Sequence, residues 1–287
     1  MGFKTSQKGM KNMNVKERNQ KLYQAACDYL EHFKPSGVIL DTYFRGANCN
    51  YQKIEDVFIR FIASAQNYQR MPNVIAFDKR EKEISYILEE YDVQKVAKMD
   101  VQALYQRFGS EFAVSSPDSK RNSWYKWSCS VVDSAKYLRK FETISDFDQY
   151  VMSFDHDAAT RMKLPQEIQS QIRGIGFALA CDMLKELGYT NYSKPDVHMM
   201  DIFSSLGLCE RTQVSTFEAI DRMAGDCKEI DPEVTPYKVD KTFWLICSGV
   251  FYNEKPVVKV KGQKNELIDC LKHICGDIIA EDEAILN

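Results

Sequence analysis

Ile172-Arg173-Gly174-Ile175-Gly176, with Phe177-Ala178-Leu179-Ala180 directly behind it, is the stretch on which the reading of this chain turns. A short helical pattern over 165–172 leads into it, opened by Pro165, a residue favoured at a first helical position. Arg173 to Gly176 make the turn, and a second helical pattern runs from Phe177 to Leu187, with Gly188 as its stop. The sequence therefore predicts helix, tight turn, helix. Glycines at 174 and 176 leave the backbone bare, and the second helix begins with amides that have no partner inside it, so the turn can come close to a phosphate. Downstream, Lys194-Pro195-Asp196-Val197-His198 places a carboxylate at the start of another helix, 196 − 176 = 20 residues past the last glycine.

Outward from these two segments the periodicity is helical nearly throughout. Leu22, Ala26, Tyr29, Leu30 and Phe33 line a helix from about residue 15, and a turn-forming run, Arg45-Gly46-Ala47-Asn48, separates it from the next. That second helix carries Ile54, Val57, Phe58, Phe61, Ile62 and Ala65, and Ile84, Ile87, Leu88 and Tyr91 mark a third. Asp92 and Asp100 suit the N-caps of two short helices, the second closed by Gly109. After a polar loop containing Pro117, Ser123 caps a long helix to about Phe141, and a short helix follows Ser145. A helix from Asp196 to about Leu206 precedes others over 215–224, 239–252 and 265–275. Only Val257 to Val260 resembles a strand, so the predicted class is all-α.

Composition narrows the function. The 287 residues suffice for one large core or two smaller ones, and 44% hydrophobic with 28% charged residues is ordinary for a globular chain. No membrane span or secretory leader is read, which predicts a cytoplasmic protein, or a nuclear one in a eukaryote. Nine cysteines without a Cys-x-x-Cys pair suggest reduced, buried thiols rather than a metal cluster. A net charge of −3 excludes a protein that coats nucleic acid by bulk attraction, so any DNA contact must be local. Residues 1–21 carry 6 − 1 = +5 and a lysine-rich run spans 255–264; each suits a phosphate backbone or plain solvated surface.

Three pieces carry chemistry together: the glycine turn, Asp196, and the upstream Ser64-Ala65-Gln66 at the end of an amphipathic helix. Taken singly, the turn reads as an ordinary helix connection and Asp196 as a helix cap. In this order they resemble the helix-hairpin-helix DNA glycosylase superfamily, which includes endonuclease III and the 8-oxoguanine glycosylases. Ile172 to Ala180 looks like that family's hairpin. Asp196-Val197-His198-Met199 looks like its Val-Asp-x-His segment, closest to the oxidised-guanine branch, and Ser64-Ala65-Gln66 like the Ser-Ala-Gln of the endonuclease III branch.

The resemblance implies a two-lobed helical fold binding double-stranded DNA, with a six-helix lobe over 52–190 that contains the hairpin (about 165–187). The second lobe would join 1–51 to 191–287. It implies that Asp196 is the catalytic carboxylate, that Gly174, Ile175 and Gly176 grip phosphate, and that Gln66 fills the gap left by a flipped nucleotide. Arg173 and His198 are expected phosphate contacts, and Trp124, Trp127 and Phe177 candidate walls of a base pocket. Carbonyls of Ser170, Ile172 and Ile175 are expected to hold a structural monovalent cation; no other cofactor, and no iron–sulfur cluster, is implied.

One departure is informative. Strand-cutting members carry a lysine two residues after the second glycine, where this chain has Ala178. Without that amine the expectation is a monofunctional, monomeric glycosylase that uses water and leaves an abasic site in the manner of base excision repair. Two alternatives stay open: a glycosylase for oxidised guanine or an enzymatically modified base, and a helix-hairpin-helix protein that binds DNA without chemistry.

Overall fold

A computed structural model describes residues 14–44, 51–67, 71–116 and 119–285, with side chains described as far as 274. Arg45 to Asn48, Pro117 and most of the basic N-terminal run lie outside the described residues. The protein is predominantly helical. In chain order the first helices are α1 (Val15–Phe33), α2 (Asp41–Phe44), α3 (Ile54–Ala65), α4 (Met71–Ile75), α5 (Glu81–Ile87) and α6 (Val93–Val96). Then follow α7 (Val101–Glu111), α8 (Ser123–Leu138), α9 (Ile144–Met152), α10 (Ala158–Arg161), α11 (Lys163–Gln171) and α12 (Phe177–Glu186). The last are α13 (Val197–Ser205), α14 (Gln213–Cys227), α15 (Pro236–Ser248) and α16 (Lys264–Ile285). Short strands β1 (Val250–Phe251) and β2 (Val258–Lys259) pair antiparallel, Val250 opposite Lys259.

The chain divides into two compact units, one of Met1–Gly46 with Thr190–Asn287, the other of Ala47–Tyr189. In the first, α1, α13, α14 and α15 share a core in which Leu22, Ala26, Ile202, Ile220 and Phe243 are fully buried. In the second, α3 and α8 pack centrally, with Phe58, Phe61, Trp127 and Val131 fully buried. Each such large apolar side chain contributes roughly 1.5–3 kcal/mol on burial.

Local chemistry explains where the elements begin. Asn14, Asp92, Asp100, Asn122, Thr143, Asp196, Thr212 and Thr235 each accept a backbone N–H of the helix they open. The cap of α8 is thus Asn122 rather than Ser123, and Thr143 rather than Ser145 opens α9. Pro165 is the third residue of α11, still in the first turn, where a missing N–H has no cost.

Two boundaries moved further. Gly109 lies inside α7; Phe112, stacked on Trp124 with ring centres 4.8 Å apart, draws the helix past it, and the left-handed residue that ends it is Ala113. The expected helix over 239–252 starts earlier, at Pro236, and ends at Gly249, whose φ of +62° turns the chain into β1. Among the described residues, no helix is long and apolar enough to cross a membrane.

Candidate functional site

In the second unit, α11 and α12 are joined by the glycine turn, and α8 holds that turn from one side. Ile172 and Ile175 are buried and anchor it, while Arg173, Gly174 and Gly176 are exposed. The Ser130 hydroxyl donates to the Arg173 carbonyl at 2.7 Å. Three residues along the same helix face, the Asp133 carboxylate accepts the Arg173 backbone N–H at 3.1 Å, and its guanidinium at 2.6 Å through Nε and 2.9 Å through Nη2. These supports were missed in the sequence. Their signal was the polar set Lys126, Ser130 and Asp133 at helical spacing beside the apolar stripe of Trp124, Trp127 and Val131.

The two glycines differ. Gly174 has φ +83°, and a Cβ there would lie 2.9 Å from Ser130 Oγ, so this position needs glycine for its own fold. Gly176 has φ −90° and ψ 171°, ordinary extended backbone, and a Cβ would meet nothing within 4 Å. Its fold does not demand glycine. Gly176 is also the N-cap of α12, and as a glycine it brings no capping side chain of its own. The positive end of the α12 dipole therefore lies at the exposed Gly176, while the first-turn residues Phe177, Ala178 and Leu179 are buried.

Beside the turn lies a cavity of about 440 Å³, walled by Gly174, Ile175 and Gly176 and by Tyr125, Cys129 and Ser130 of α8. Lys120, Lys126 and Arg173 also line it. Lys120 and Lys126 beside the N-terminus of α12 make a local positive site on a chain of net charge −3, the Arg173 charge being balanced by Asp133.

The other expected residues of this unit are placed differently. Trp127 is wholly buried and donates through Nε1 to the Ile62 carbonyl at 2.9 Å; Trp124 is 3% exposed, stacked on Phe112. Both are core, with no face for a base, because α7 and α3 cover them. Phe177 is buried likewise. Gln66 is folded inward, its Oε1 accepting the Phe77 N–H at 3.1 Å, so it does not project as a wedge here. Arg173 is exposed but already paired with Asp133.

For a cation at the turn, the Ile172 carbonyl accepts the Ile175 N–H at 3.2 Å and keeps one lone pair. Hard backbone oxygens suit a monovalent ion. Among the described residues, no group of three His, Cys, Asp or Glu side chains could hold a metal.

In the first unit, Asp196 is the N-cap of α13. Its Oδ1 accepts the His198 and Met199 N–H groups at 2.9 and 3.2 Å. Burial, and then the nearby Asp240 carboxylate, raise the Asp196 carboxyl above the usual aspartate value, against the pull of Lys194 and of the cap bonds. Asp240 is 1% exposed on α15, and its Oδ2 accepts the Lys194 N–H at 2.8 Å. His198 is half-buried, and its Nδ1 has no hydrogen-bond partner. Cys247 lies close enough for Asp196 to contribute to raising its thiol, which burial chiefly pushes up to about 12.

No protein-family model, curated protein or solved structure matches this chain. Its function has to be argued from the two sites themselves.

Proposed function

We propose that the protein is a DNA N-glycosylase of the helix-hairpin-helix type, monofunctional, which hydrolyses the bond between a flipped base and its deoxyribose. The observation that carries this reading is Gly176: a glycine its own fold does not require, exposed at the head of α12 beside Lys120 and Lys126. A bare N-terminus of this kind suits a DNA phosphate, which needs backbone N–H donors and close approach but no particular base.

The chemistry falls to Asp196. Extruding a base costs a few kcal/mol, least for a mispaired or modified one, so such a base is the substrate class. As the C1′–N bond breaks, its electron pair leaves with the base and positive charge grows on the sugar. The Asp196 carboxylate stabilises that charge and takes a proton from the water whose oxygen bonds C1′. A carboxyl raised above its ordinary value is the better proton acceptor for this step. With Ala178 in place of an amine, no covalent sugar adduct forms at the hairpin. A monovalent ion on the Ser170, Ile172 and Ile175 carbonyls would add charge to the phosphate grip, and no chemical step depends on it.

DNA binding without chemistry is the second reading, and one observation favours it: Asp196 already serves as a helix cap. A panel of duplexes, each with one modified base, separates the two when incubation is followed by alkali. Cleavage at the modified position supports the glycosylase; intact strands across the panel, with DNA still bound, support the binder. Borohydride added during the reaction should trap no protein–DNA adduct.

A further inference from the structure

Asp240 was not a candidate from the sequence, where Val239-Asp240-Lys241 reads as part of an ordinary helix. In the structure it is 1% exposed, a depth at which aspartate is rare unless it is paired. The segment from Thr190 to Asp196 runs along the start of α15 and is tied to it at two points. The Tyr237 N–H donates to the Thr190 carbonyl at 3.0 Å, and the Lys194 N–H donates to Asp240 Oδ2 at 2.8 Å. One further bond, from the Asp196 N–H to the Lys194 carbonyl at 2.8 Å, closes the tight turn that delivers Asp196 to the head of α13.

We propose that Asp240 is a positioning residue for Asp196: its carboxylate fixes the Lys194–Asp196 turn and sets the charge environment in which the Asp196 carboxylate works. The inference rests on the glycosylase reading for its catalytic meaning, though not for its physical content. Several titratable groups act on Asp196 or lie beside it. They are Asp240 and Cys247 from α15, Lys194 from the preceding turn, and His198 from its own helix. Of these Asp240 is the anion whose charge opposes ionisation of Asp196, so its removal must ease that ionisation.

The test is a carboxyl-carbon NMR titration of Asp196 in the full-length protein, compared among the parent, Asp240→Asn and Asp240→Glu. Asp240→Asn keeps an oxygen for the Lys194 N–H but removes the charge, so the Asp196 midpoint should move to lower pH, and Asp240→Glu should restore it. An Asp196 midpoint unmoved in Asp240→Asn overturns the proposal. If base release is found, its acidic limb should move down with the same variant, and Asp240→Ala should lower kcat on the order of tenfold through misplacement of the carboxylate. A merely structural Asp240 would change stability without moving either midpoint. Absence of base release would sink the glycosylase reading while the titration still decides this one.

Discussion

The carboxylate of Asp133 takes three hydrogen bonds from Arg173, one from its backbone N–H and two from its guanidinium, so a helix side chain locks the backbone of the glycine turn. Asp133 is 10% exposed and Arg173 56%, which makes the pair only half desolvated. Its main effect is on the direction of the peptide between Ile172 and Gly174. Asp133→Ala should destabilise the protein by about 2 kcal/mol, chiefly by leaving the Arg173 N–H unsatisfied. Urea unfolding checks this, and an unchanged midpoint would count against the lock.

The two glycines should respond in opposite ways. Gly174→Ala puts a side chain on a φ of +83° and against Ser130 Oγ, and should cost about 1–3 kcal/mol. Gly176→Ala meets open space at ordinary dihedrals, and stability should change by less than about 1 kcal/mol. If Gly176 faces a phosphate, Gly176→Ala will nonetheless weaken duplex binding measured by fluorescence anisotropy. Equal affinity in parent and Gly176→Ala would remove the phosphate role.

Lys120 and Lys126 flank the same cavity. Replacing both with Gln should weaken binding to unmodified and modified duplexes alike, since phosphate contacts carry no base information. The slope of log affinity against log salt should fall by about 1 for each lost contact. A loss confined to one DNA sequence would point to base recognition instead.

How far this could be read in the sequence depends on the range of the forces involved. Caps such as Asp92, Asp100 and Asp196 were legible because a cap bond spans two or three residues of the chain. Apolar stripes in α1 and α3 were legible for the same reason. For Trp124 and Trp127 the sequence left both core and cleft open, because which of the two an aromatic faces depends on α3 and α7, which cover them from elsewhere in the chain. The inward fold of Gln66 was not legible, because its partner Phe77 lies eleven residues on. Ser130, Asp133 and Asp240 were missed because their partners lie 43, 40 and 46 residues away.

Asp196 makes a prediction in which stability and activity part. Its carboxyl is raised in the folded chain, so the fold binds that proton more tightly than the unfolded chain does. The resulting stabilisation is fully present below the unfolded value of about 3.9 and is lost as pH rises through the folded one. Asp196→Asn escapes that loss and keeps the cap, since asparagine caps a helix as well as aspartate. At pH 7 the variant should therefore melt at the parent's temperature or above it, with the difference shrinking toward pH 3. A variant that melts lower at pH 7 would show the charge to be structural.

The most direct test compares base release by parent and Asp196→Asn under single turnover, on a duplex whose modified base the parent removes, with abasic sites revealed by alkali. The glycosylase account predicts a rate lower by at least about a hundredfold in the folded, DNA-binding variant. Equal release by Asp196→Asn, or no release by the parent from any modified duplex, would contradict it.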